Sequence, residues 1–110
     1  MSSKRLPVVP RPKAEEDTDE FFFHLADARK RPETPNEFLD ELYKAYEQLS
    51  ENPALGHPYP VPNPRLEGLR VWPVPRFSDR LIYYIATETR IDVVRILGAP
   101  QNRDRILVSE

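Results

Sequence analysis

A chain of 110 residues holds one small hydrophobic core, so residues 1–110 are read as a single domain. The apolar fraction is 39% and the charged fraction 31%, with no apolar run near the roughly 18 residues of a membrane span, and there is no cysteine. These facts exclude a helix-spanning membrane role, a disulfide framework and thiolate catalysis. The net charge of -2 is uneven: residues 1–64 carry 8 Lys+Arg against 12 Asp+Glu, and residues 65–110 carry 8 against 6. Every cation of the second part is an arginine (Arg65, Arg70, Arg76, Arg80, Arg90, Arg95, Arg103, Arg105), the side chain whose planar fork suits carboxylate and phosphate recognition.

The N-terminal "MSSKRLPVVPRP" is basic but lacks the apolar core of about 7 to 15 residues that marks a secretory leader, so a cytoplasmic protein is expected. Residues 1–5 are expected to be disordered. Leu6 to Val9, bounded by Pro7, Pro10 and Pro12, reads as a short edge strand or an arm. From Lys13 the pattern turns helical. Acidic "EEDTDE" complements the positive end of the helix dipole, Phe21, Phe22, Leu25 and Ala28 form the apolar stripe, and Arg29, Lys30 and Arg31 lie at the negative end.

A second helix runs through "TPNEFLDELYKAYEQLSENP", capped by Thr34 or Asn36, with Pro35 in its first turn. Phe38, Leu42, Tyr46 and Leu49 form its stripe, widened by Leu39 and Tyr43, and Asn52-Pro53 ends it. Two adjacent amphipathic helices with a short connection imply an antiparallel hairpin. "GHPYPVPNP" then reads as an extended loop with neither helix nor ladder.

Three strands follow: "LRVWPV", "RLIYYIAT" and "RIDVVRIL". The last two form a β-hairpin around Glu88-Thr89, whose register is open by a residue because no Asn-Gly turn fixes it. Residues 102–110 read as a short helix, with Asn102 as its cap, or a tail. Helices followed by strands imply an α+β fold, the helical hairpin packed on one face of a small antiparallel sheet and the other face partly open.

Strict alternation places Val94 and Ile96 under the helices and Arg95 on the opposite face with Ile91, Val93 and Leu97. Tyr83 and Tyr84 point to opposite faces. Arg95 has two readings. Beside a tyrosine on an open face it could bind a partner's carboxylate or a stacked base; alternatively it is structural, paired with a buried carboxylate or a chain terminus. His24 and His57 lack a second ligand at metal-site spacing, and Gly56, Gly68 and Gly98 are isolated, so neither a metal nor a nucleotide cofactor is expected.

The order "PKAEEDTDEFFFHLADA", "EFLDELYKAYEQLSENPALGHP" and "LEGLRVWPVPRFSDRLIYYIATETRIDVVRIL" resembles the ParE/RelE superfamily of toxins from type II toxin-antitoxin modules, over about residues 6 to 105. The resemblance implies two helices on a small antiparallel sheet, a cognate antitoxin that wraps the toxin, and a toxin-antitoxin hetero-oligomer. It implies one of two targets. ParE-like members inhibit DNA gyrase by protein contact; RelE-like members cleave mRNA on the ribosome with basic residues and often a histidine or tyrosine near the C-terminal end of the sheet.

Here the last strand ends in Gly98 and Ala99, no lysine occurs from residue 65 onward, and no tyrosine follows Tyr84. RNA cleavage needs a proton acceptor and donor at the reacting oxygens. The expected protein is therefore a gyrase-directed toxin rather than an enzyme, with a RelE-like endoribonuclease as the alternative and a non-toxic binding module of the same fold as the third reading. Arg70, Arg76, Arg80, Tyr83, Arg95 and Arg103 are its candidate target- or antitoxin-binding residues; Arg70, Arg76, Arg95 and Arg103 are expected to form one basic patch. No catalytic residue is assigned.

Overall fold

The computed structural model describes residues 5–27, 32–99 and 101–110. In chain order it contains β1 (Val8–Pro10), α1 (Pro12–Ala26), α2 (Pro35–Glu51), β2 (His57–Pro58), a 3-10 turn (Pro64–Leu66), β3 (Leu69–Val74), β4 (Phe77–Ala86), β5 (Ile91–Gly98) and α3 (Arg103–Val108). The sheet order is β1-β5-β4-β3-β2. The architecture is the expected α+β, with the helical hairpin on one face. The sheet is mixed, because β1 pairs parallel to β5, Val8 opposite Ile91.

Pro12 stands in the first turn of α1, where its missing N–H costs nothing, and Glu15 complements the dipole. Ala14, Phe21 and Leu25 are buried. Ala28 of the expected stripe and Arg29, Lys30 and Arg31 lie outside the described residues, as do residues 1–4 of the segment expected to be disordered. Arg5 ion-pairs with Glu51. In α2, Thr34 is the cap, its hydroxyl accepting from the Glu37 N–H at 3.1 Å. The stripe is centred on Phe38, Leu42, Ala45 and Leu49; Tyr46 sits at its margin and Tyr43 faces solvent. Phe21, Phe38 and Phe77 join the hairpin to the sheet edge-to-face, with centroid separations of 4.8 to 6.2 Å.

Three expectations are corrected. First, the proline segment does carry a ladder: His57 and Pro58 pair with Val71 and Arg70 as a two-residue edge strand, and Pro64–Leu66 form a 3-10 turn. Proline is compatible with that position because it is an edge. Second, the far face of the sheet is closed rather than partly open. Tyr59, Val61, Leu66, Ile106 and Leu107 pack there against Leu69, Tyr83, Val94 and Leu97.

Third, alternation along β5 is interrupted. Tyr84 lies opposite Val93 and Tyr83 opposite Arg95, so Val94 is an extra, bulged residue. Before the bulge Ile91 and Val93 lie under the hairpin; after it Ile96 does, while Val94 and Leu97 join the far face. Tyr83 and Tyr84 do point to opposite faces. The hairpin loop spans Thr87 to Arg90, closed by the Thr87 hydroxyl accepting from the Thr89 and Arg90 N–H groups. No described helix is long and apolar enough to cross a membrane.

Candidate functional site

β1 covers β5 only from Ile91 to Val93, because Arg11 turns the chain into α1. The Arg11 guanidinium makes a two-pronged ion pair with Asp92, at 2.9 and 3.0 Å, and this hydrogen bond raises its pKa. Beyond that point Arg95 reaches over the strand edge. Its Nε and Nη2 donate to the two oxygens of Asp17 at 2.7 and 2.9 Å, and its Nη1 donates to Glu110 at 3.0 Å. The three side chains are 15%, 9% and 6% exposed, so the charges are largely desolvated and depend on one another. Its hydrogen bonding to Asp17 is the main cause holding the Arg95 pKa above its ordinary value.

On the far face, the buried Tyr83 hydroxyl accepts from Arg103 Nη1 at 3.1 Å, and the Tyr59 ring stands edge-on to Tyr83 with centroids 5.2 Å apart. Burial raises the Tyr83 pKa. The hydrogen bond to Asp104 pushes Tyr59 up to about 12. Asn63 Nδ2 donates to the main-chain oxygens of Leu107, Val108 and Glu110 at 3.0 to 3.1 Å, fastening α3 to the proline segment.

On the hairpin side, Arg70 Nη1 donates to the Gly56 carbonyl at 2.6 Å. The Tyr84 hydroxyl donates to Pro53 O and accepts from Gly56 N, both at 2.8 Å. Arg76 occupies the β3–β4 turn with φ 67° and lies 3.6 Å from Glu41, a carboxylate also facing Lys44. Arg80 lies over the Phe21 ring at 4.0 Å and crowds Gly98, where a Cβ would meet its Nη1 at 2.7 Å. Arg80 also lines a cleft of about 330 Å³ with Asp17, Glu20, Phe21, His24, Ile96 and Gln101.

The structure thus brings Tyr83 next to Arg103 and opposite Arg95, and places Arg80 in a separate cleft. It does not gather Arg70, Arg76, Arg95 and Arg103 into one patch: Arg70 and Arg76 belong to the hairpin side, Arg103 to the far face and Arg95 to the strand edge. Of the six candidates only Arg76 is exposed. Sequence reasoning missed Asp17, Glu110, Asn63 and Tyr59 as partners, and no local motif points to them, since each acts across more than ten positions. Glu20 and His24 were findable, being four apart on one helix face. Among the described residues no group of three or more His, Cys, Asp or Glu could hold a metal ion.

A family model described as the ParE toxin of the type II toxin-antitoxin system, parDE, matches residues 8–103. The chain belongs to this family. The ParE toxin match runs from β1 to the first residue of α3 and takes in the Arg95–Asp17 pair, the Tyr83–Arg103 pair and the cleft. A solved structure described as the chromosomal ParDE TA system from P. aeruginosa has the same fold, with a TM-score of 0.66 at 19% identity over 87% of this chain and 98% of that one. No curated protein matches the sequence.

Proposed function

We propose that this ParE-family toxin arrests growth by binding DNA gyrase without chemical catalysis, and that a cognate antitoxin neutralises it in a hetero-oligomer in the cytoplasm. The observation that carries this reading is the state of the hydroxyls in the sheet. Tyr83 is buried and held by Arg103; Tyr84 is buried between Gly56 and Pro53. Burial raises the pKa of both, which disfavours proton exchange with a 2′-hydroxyl at neutral pH. The end of β5 offers only Gly98, packed under Arg80, and Ala99. Contact with target or antitoxin is assigned first to Arg76, the exposed member of the candidate set; Arg70, Arg80, Tyr83, Arg95 and Arg103 belong to other parts of the surface and are assigned second.

One observation favours the RelE-like alternative: His24, Glu20 and Arg80 share the cleft beside Ile96, an acid, a base and a phosphate-binding cation in one place. The two readings separate on His24→Ala. Under the gyrase reading the variant inhibits supercoiling as the parent does and neither protein cuts ribosome-bound mRNA; under the ribonuclease reading the parent cuts and the variant does not. Absence of both effects, with growth unaffected on induction, identifies the non-toxic binding module.

A further inference from the structure

We propose that Asp17 and Gln101 are edge guards, holding the run of β5 from Ile96 to Gly98, which β1 does not reach, closed against strand addition by a second copy of this chain. A sheet edge presents unpaired main-chain groups in register, a template for another strand, and proteins close such edges by specific devices. Every other edge of this sheet carries one.

Along β1, Pro7 O accepts from Ile91 N and Arg11 N donates to Val93 O, so residues 7, 9 and 11 face β5 and residues 6, 8 and 10 face outward. Of those, Leu6 is taken by Ser50 of α2, which binds both its N–H and its carbonyl, and Pro10 has no N–H. At the opposite edge β2 is only His57 and Pro58, and the outward residue of β3 beyond it is Pro73, again without an N–H.

That leaves the end of β5. Its N–H groups point away from β4 at Ile96 and Gly98, and neither meets a strand. Asp17 Oδ2 accepts from Ile96 N at 3.0 Å; Gln101 Oε1 accepts from Gly98 N at 2.6 Å, and Gln101 N donates back to Gly98 O at 3.1 Å. Two side chains thus occupy the positions that carbonyls of an added strand would take. The cleft lined by Asp17, Phe21, Ile96 and Gln101 lies beside this edge. The Asp17 carboxylate therefore does two separable things: it pairs with Arg95, and it caps the edge at Ile96.

The occupant expected when the guards are removed is the same edge of a second copy, since an antiparallel pair of identical edges is self-complementary about a two-fold axis. The proposal does not depend on gyrase or on the antitoxin. Light scattering after size exclusion, with amide hydrogen exchange at Ile96 and Gly98, tests it on the purified full chain. Asp17→Ala with Gln101→Ala should shift toward higher mass with rising concentration, and exchange at both amides should quicken by about tenfold at low concentration. Asp17→Asn keeps an acceptor oxygen and should stay at the parent's mass. Arg95→Met removes the ion pair but leaves Asp17 on Ile96, and should also stay there. Gln101→Ala alone removes an exposed side chain, so it keeps the test valid if the double variant fails to fold; it should quicken exchange at Gly98. Unchanged mass and exchange in a folded guard variant would overturn the proposal, as would association of Arg95→Met to the same extent as the double variant.

Discussion

Arg95 on β5 and Asp17 on α1, 78 positions apart, form a two-pronged ion pair at 2.7 and 2.9 Å in which Asp17 also accepts the Ile96 N–H. Because Glu110 is drawn onto the same guanidinium, one arginine ties the first helix, the last strand and the end of the described chain together. Arg95→Met leaves Asp17 without its cation in a desolvated place and Glu110 with Lys13 alone, 3.5 Å away. It should lower stability by about 3 kcal/mol in urea unfolding, whereas Arg95→Lys, which lacks the fork, should recover only part of the loss. An unchanged unfolding midpoint in Arg95→Met would show that the pair is not structural.

Tyr84 and Gly56 make a second long-range tie. Tyr84→Phe deletes a hydroxyl that serves two main-chain groups, Pro53 O and Gly56 N, and should cost about 1–3 kcal/mol. Gly56→Ala should cost more, because the new Cβ would stand 2.7 Å from the Tyr84 hydroxyl and 2.8 Å from the Val71 carbonyl, and the backbone carbonyl cannot swing away. Thermal unfolding of the two variants checks the order.

Arg76 carries a left-handed backbone conformation that glycine adopts without strain. Its ion pair with Glu41 is long, and its side chain is 65% exposed, so little is lost with it. Arg76→Gly should therefore raise stability by about 1 kcal/mol. If Arg76 contacts the target, the same variant lowers toxicity on induced expression while its melting temperature rises. A fall in both would mark Arg76 as structural instead.

Alkaline stability follows from the tyrosines. Tyr46, Tyr59, Tyr83 and Tyr84 all have pKa values above the ordinary 10, Tyr59 at about 12 through its bond to Asp104 and the other three chiefly through burial. The folded state holds these protons more tightly than the unfolded chain does, so their contribution is complete below about pH 10 and is lost as pH rises through the folded values. The melting temperature should show this loss above about pH 10. In Asp104→Asn the ultraviolet phenolate signal of Tyr59 should move down toward the ordinary value. No movement would mean that Asp104 does not hold that hydroxyl.

Local signals in the sequence reach the helices, their caps and the β-hairpin, because proline position, amphipathic spacing and Thr34 act within one or two turns of chain. They reach neither the Val94 bulge nor the closed far face. The bulge inverts side-chain parity within one strand, and no residue in "IDVVRIL" announces it, so alternation put Ile91, Val93 and Val94 on the wrong side. The far face is closed by Tyr59, Leu66 and Leu107, which come from a proline segment and a short terminal helix with little periodicity of their own. In the candidate site, Arg95 and Tyr83 stood out as polar groups within apolar strands. Their partners Asp17 and Glu110 did not, because an ion pair across 78 positions leaves no mark in spacing; Arg103 was among the candidates, but not as the partner of Tyr83. Family membership rests on the ParE toxin match over residues 8–103, yet it leaves the target to the side chains.

The most direct measurement of the central claim is a paired assay on one sample of purified toxin: supercoiling by DNA gyrase, and integrity of ribosome-bound mRNA. Binding to gyrase without catalysis predicts that supercoiling is inhibited in proportion to toxin, that added antitoxin restores it, and that the mRNA stays intact. Undisturbed supercoiling together with cut mRNA would contradict the account and place the activity in the His24, Glu20 and Arg80 cleft.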